Sequence, residues 1–229
     1  MRHVRYPLGM CAVAMAMFCL TVPLQAEMYV AGQMGANMPR DLSNVEQTNF
    51  FETFKISDLS LQNSLMYGAK AGYYFDSLKV QNFNFGVETE VFNSTPHIKQ
   101  QEITVQGSFI PEGSFTVAQP GLMNRVLTWA PVVVLVRYQA EAFEPYAGVG
   151  LGVFFSRISG GTHSSSSTDV GLNTQLGLRY RITPTLALFG EWKYNYAHID
   201  HNNFLGLNGI DFSANYNANI FAAGIGYHF

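Results

Sequence analysis

The sequence predicts an all-β fold: an eight-stranded antiparallel transmembrane β-barrel with short turns at one end and long loops at the other. Three observations carry that reading. Hydrophobicity alternates with a period of two along most of the chain, as in strands with one apolar face. The connections between these segments alternate strictly in length. One face of nearly every segment carries no charge, while the other carries several. Composition agrees: only 13% of the 229 residues are charged, where soluble domains run at about 25%. With 48% apolar residues the chain is not disordered. Thirteen basic against sixteen acidic residues, without a basic block, exclude nucleic acid as a partner.

Residues 1–26 read as a cleaved export signal. Arg2, His3 and Arg5 precede the apolar run Gly9 to Val22, and Leu24-Gln25-Ala26 ends on a small residue. The run is too short to span a membrane, which takes about 20 residues. Cys11 and Cys19 leave with the signal, so the mature chain forms no disulfide. Of the 13 basic residues Arg2 and Arg5 also leave, so 11 face 16 acidic ones. Residues 27–229 then form one barrel domain. No later segment is a transmembrane helix: the longest apolar run, Ala130 to Val136, is short and contains Pro131.

Eight strands of roughly ten residues follow in order, each an alternating stretch. They cover Met28 to Asn37, Tyr67 to Phe75, Phe83 to Phe92, Leu127 to Tyr138, Ala147 to Phe155, Val170 to Arg181, Leu186 to Tyr196, and Phe221 to Phe229. The fourth is apolar on both faces until Arg137, so its register is free to slip by one. Long connections run from Pro39 to Ser64, Asn93 to Val126, Ser156 to Asp169 and Ala197 to Ala218. Short ones run from Asp76 to Asn82, Gln139 to Glu144 and Thr183 to Thr185. A transmembrane barrel has this rhythm, with short periplasmic turns and long extracellular loops.

Charge decides which face meets lipid. Lys70, Glu88, Glu90, Arg137, Arg179, Arg181, Glu191 and Lys193 share the polar face. A charge turned to lipid costs about 2–4 kcal/mol at the bilayer midplane, so these eight point inward. A soluble lipocalin-like barrel would reverse that pattern. Aromatics fall at strand ends on the uncharged face, where headgroups favour their rings. Tyr73, Phe83, Tyr138, Tyr180, Tyr227 and Phe229 mark the inner end; Trp129, Phe155, Trp192 and Tyr194 mark the outer end.

With these features the chain resembles the small outer-membrane β-barrel family that includes OmpA-, OmpX- and OmpW-type barrels. The first strand from Met28 to Gly35, the stretch Pro145 to Gly152, and Leu188-Phe189-Gly190-Glu191-Trp192-Lys193-Tyr194 carry the likeness. The most specific part is the C-terminus, where Ile225, Tyr227 and Phe229 share one face and Phe229 is terminal. The resemblance implies that this strand is read by the outer-membrane assembly machinery. It also implies outer-membrane lipid and lipopolysaccharide as surroundings.

Three groups invite a functional reading. The interior charges, five positive and three negative, read as a gate or ion path, or more simply as a salt-bridge network filling a lumen just wide enough for side chains. His198-Ile199-Asp200-His201 opens the last long loop and reads as a metal or Asp–His pair, or as a solvated loop. Outer-membrane proteases add further acidic partners not recognised here, and in the pattern of lipid A deacylases the serine position is taken by Asp200. Within the 93–126 loop, Ile103-Thr104-Val105-Gln106 and Phe115-Thr116-Val117 flank Ile110-Pro111-Glu112-Gly113 and read as a hairpin. It offers an adhesive edge for a host or cell-surface ligand, or shields the rim. No motif calls for a cofactor or a metal. The leading function is a structural or surface-interaction scaffold displaying loops. A small pore or conduit for apolar molecules is the alternative, and an outer-membrane lipid-modifying enzyme or protease comes third.

Overall fold

The computed structural model describes residues 26–107, 113–160, 163–204 and 210–229. Among them lie twelve strands and no α-helix. Eight form a closed antiparallel ring: β1 (Ala26–Pro39), β4 (Ser64–Val80), β5 (Phe83–Ser94), β8 (Met123–Tyr138), β9 (Phe143–Gly160), β10 (His163–Arg181), β11 (Leu186–His201) and β12 (Asp211–His228), with β12 returning to β1. Four more, β2 (Ser43–Thr48), β3 (Thr53–Ile56), β6 (Gln101–Gln106) and β7 (Ser114–Gln119), stand at the loop end. The expected eight strands are thus the ring alone. The proposed leader lies almost entirely outside the described residues, as do Ile110, Pro111 and Glu112 of the expected hairpin turn.

The ring strands run to 12–19 residues, not ten. The excess is at the loop end. Ser156 and its neighbours remain on β9 to Gly160, and Ser164 to Ser167, expected as a loop tip, pair with it as the start of β10. Likewise β11 and β12 pair up to His201 and Phe212. A hydrogen-bond ladder, once begun, satisfies the backbone of polar segments that have no strand pattern of their own.

The strands are strongly tilted. The pairing row Trp129–Val91–Ala69–Gly32–Ile225–Leu188–Tyr180 starts in the outer aromatic group and ends in the inner one. A row perpendicular to upright strands would stay at one level; this one crosses the apolar band, as strands tilted by about 40° require. Gly72 and Gly177 make room inside. A Cβ at either would stand 2.3 Å from the ring of Tyr29 or Tyr146.

The doubtful fourth strand does shift phase. Glu88 pairs with Val133 and Glu90 with Ala130, so Pro131 and Val132 share the place opposite Thr89. Pro131 has no N–H to lend the ladder, and a bulge is where a central strand tolerates it. The Thr89 hydroxyl caps the Ala130 carbonyl at 3.2 Å and accepts the Trp129 indole N–H at 3.3 Å. Beyond the bulge Val133, Leu135 and Arg137 face inward while Trp129, before it, faces out.

At the loop end the wall continues from β12 through β2, β3, β6 and β7. Pro39 ends β1, and β2 takes its place along β12, from Ser43 opposite Asn215 to Thr48 opposite Asp211. Beneath this sheet Leu42, Leu59, Leu61, Ile98 and Leu122 pack onto Met66, Phe92, Val126, Phe154 and Ile220 of the ring strands. An apolar core therefore closes the loop end of the barrel.

Candidate functional site

Seven of the eight expected interior charges are buried: Lys70, Glu88, Glu90, Arg137, Arg179, Glu191 and Lys193. Arg181 also points inward and is half-buried at the turn end. They fall into two connected groups. In the middle of the lumen Lys70 sits 2.7 Å from Glu191 and 3.4 Å from Glu88. Lys193 lies 2.9 Å from Glu191 and also pairs with Glu90. Neutral donors fill the remaining carboxylate sites. Gln175 donates to Glu88 at 2.8 Å, Asn173 to Glu90 at 2.9 Å, and the Tyr146 hydroxyl to Glu191 at 2.7 Å.

Nearer the turn end, Arg137, Arg179 and Arg181 converge on two carboxylates absent from the expected set. Glu144 meets them at 3.3, 3.6 and 2.6 Å respectively. Glu27 bridges Arg137, Arg181 and His228. Its carboxylate thus ties β1 to β8, β10 and β12 across the lumen. The guanidinium of Arg137 also stacks 3.7 Å from the Tyr74 ring centroid, and that of Arg179 lies 4.6 Å from Tyr29. With Glu27 and Glu144 the network holds five cations and five anions. Both were within reach of the period-two rule. Glu27 precedes Tyr29 on the inward face of β1, and Glu144 precedes Tyr146 on that of β9.

The network ends below the apolar core. Between them Asn37 donates to Ser94 and to the Tyr216 hydroxyl, each at 3.1 Å. From the turn end upward, the lumen therefore holds an ionic layer, a thin amide layer and a hydrocarbon layer.

The structure brings His198 and Asp200 together but not His201. All three lie on β11, so alternation sends the first and last to opposite faces. His198 and Asp200 stand exposed, 3.4 Å apart. His201 is fully buried, with its ring nitrogens 3.2 Å from the hydroxyls of Ser156 and Ser165. Burial pulls its pKa down to about 4. His198 and Asp200 are solvated but stand on a paired strand, not in the expected loop, and His201 belongs to the interior. Nothing in its own segment signalled this, since Ser156 and Ser165 come from β9 and β10.

Ile225, Tyr227 and Phe229 line the outer face of β12 at the turn end. Tyr227 and Phe229 meet edge to face at 5.1 Å, and the Phe229 N–H donates to Met28 at the barrel seam. Neighbouring pairs Tyr73–Phe75, Phe83–Tyr138 and Phe143–Tyr180 extend this belt.

The expected hairpin is present. β6 and β7 pair from Gln101–Gln119 to Gln106–Ser114. Among the described residues β7 pairs with β6 alone, so its other edge is open. Phe115 and Val117 on it are nearly half exposed. The neighbouring β2–β3 hairpin, not expected from the sequence, carries Phe50 and Phe51 at its tip, 82% and 87% exposed. Asn49 fixes that tip by accepting the N–H groups of Phe51 and Glu52, each at 2.9 Å.

A family model described as outer membrane protein beta-barrel domain matches residues 10–229. No curated protein matches in sequence. Solved structures similar to the chain include Neisserial surface protein A, at 15% identity and TM-score 0.48 over 88% of this chain and 97% of that one. Another is OprG from Pseudomonas aeruginosa, at 11% and 0.48 over 89% and 96%. A third is Ail of Yersinia pestis in complex with the heparin analogue sucrose octasulfate, at 13% and 0.45 over 90% and 100%.

Proposed function

The chain belongs to the outer membrane protein beta-barrel domain family, and from that membership we propose that it is a surface-interaction scaffold, not an enzyme. The barrel sits in the outer membrane and holds an ordered sheet outside the cell. The observation that carries the reading is the open edge of β7. An edge strand without charge, proline or bulge invites another strand, and β7 reads Ser-Phe-Thr-Val-Ala-Gln. An extended segment of a host or cell-surface protein would add to it through backbone hydrogen bonds, with Phe115 and Val117 setting side-chain preference. Phe50 and Phe51 offer a second apolar contact on the same sheet. The compensated charges and the apolar core under the sheet favour this over a conduit. Export by the 1–26 leader and recognition of the final strand by the assembly machinery complete the proposal.

The test compares cells displaying the wild type with cells displaying Phe115→Lys/Val117→Lys, matched for surface level. Charges on the edge should reduce adhesion to host cells at least five-fold. Equal adhesion by the two strains, or none by the wild type, rules out β7 as the contact.

A further inference from the structure

The outward faces of β5, β8, β9 and β10 run through the apolar band and on to the loop end. Along all four the outward positions carry two charged residues, Arg125 on β8 and Arg157 on β9, both exposed. They are direct cross-strand partners. Like charges so placed stand with Cβ atoms about 5 Å apart and repel. No carboxylate among the described residues relieves them. Arg157 donates to the Ser164 hydroxyl at 3.2 Å, and Arg125 has no polar side-chain partner among these residues.

Their level is also defined. Arg125 lies four residues beyond Trp129 of the outer aromatic group, roughly 10 Å higher along the axis for a tilted strand. That is headgroup depth. Directly beneath come the apolar pairs Leu127–Phe155 and Trp129–Val153, at the lower edge of the headgroups, and then Val132–Leu151 at the depth of acyl chains. On the far side of Arg157, Ser166 adds a hydroxyl-bearing neighbour.

We propose that Arg125 and Arg157 form a binding site for the phosphate of an outer-leaflet glycolipid, whose acyl chains lie below Trp129 along Val132 and Leu151. Two guanidinium forks on directly paired positions match the oxygens of one phosphate once Arg157 turns from Ser164 towards Arg125. The anion removes the repulsion that the bare sheet carries. The apolar wall below selects a phosphorylated amphiphile over a free anion. The site is independent of whatever β7 meets.

Native mass spectrometry of the refolded barrel in detergent tests it, with diphosphorylated lipid A, the same lipid stripped of phosphate, and inorganic phosphate as probes. The wild type should retain the phosphorylated lipid at least ten-fold more than the stripped one. Millimolar inorganic phosphate should not displace it. Arg125→Gln/Arg157→Gln should abolish the preference, and Arg125→Lys/Arg157→Lys should fall between, having charge without forks. Arg40→Gln, which alters another exposed cation, should bind as the wild type does. Equal retention of both lipids, an unchanged preference in the glutamine variant, or displacement by inorganic phosphate would each overturn the proposal. Should the glutamine variant fail to fold, the lysine variant and the two lipids on the wild type still decide.

Discussion

Glu191 is the hinge of the middle lumen, because both Lys70 and Lys193 rest on it. Glu191→Gln keeps the shape and removes the charge that two buried ammonium groups share. Leaving buried charge without its partner costs about 3–5 kcal/mol, so the unfolding temperature in detergent should fall steeply. Glu88→Gln should cost less, since Lys70 keeps Glu191 as its nearer partner. An equal loss in the two variants would mean that the pairs are not stratified as described. His201 makes a different prediction. Its folded pKa of about 4 lies below the ordinary 6.5, so the unfolded chain binds the extra proton first as pH drops. The stability it confers is complete above about pH 6.5 and drains away towards pH 4, by up to about 3 kcal/mol. Hydrogen-exchange protection at the tops of β9, β10 and β11, taken relative to the intrinsic exchange rate at each pH, should therefore fall between pH 7 and pH 5, and His201→Gln should flatten that fall.

At the scale of elements, the bulge at Pro131 sets the direction of everything after it on β8. Deleting Pro131 leaves strict alternation with Trp129 still outward and Arg137 still inward, whereas deleting Pro131 and Val132 together turns one of the two to the wrong side. The refolded yield should collapse for the double deletion, whereas Pro131→Ala and the single deletion should fold. Equal yields would show that neighbouring strands alone set the register. For β12, Phe229→Ala removes one exposed interfacial ring, a loss of about 1–3 kcal/mol. The variant should refold in detergent with near-wild-type heat stability, yet reach the outer membrane of cells in sharply lower amount. Normal surface levels would remove the recognition role, and failed refolding would make Phe229 a folding residue. The ring strands were legible because lipid on one side and charge on the other sharpen the period of two. β6 and β7 were legible from their alternating segments around Pro111 and Gly113. β2 and β3 were not: Phe50 and Phe51 stand together and Glu46, Gln47 and Thr48 are all polar, so only pairing to β12 reveals them. Inward direction was readable for each lumen charge, but which charges touch depends on the tilt, and a single strand does not carry that.

For the whole molecule, the lumen carries a compensated ionic layer under a hydrocarbon layer. Planar-bilayer recordings of the refolded protein should show small, unsteady conductance. A large, steady, ion-selective current would contradict this and restore the conduit reading. The same enclosure bears on the order of events during biogenesis. Spread along open strands, ten ionised groups would each have to be carried into hydrocarbon alone. Rolled into a cylinder, they enter as one electrically neutral cargo, wrapped in Val, Leu and Phe. Because Glu27 on β1 reaches Arg137, Arg181 and His228 on three other strands, that neutrality is complete only when the first and last strands have met. Rolling up must therefore come no later than entry into the bilayer, and an intermediate trapped with its seam apart should be found at the membrane surface, not across it.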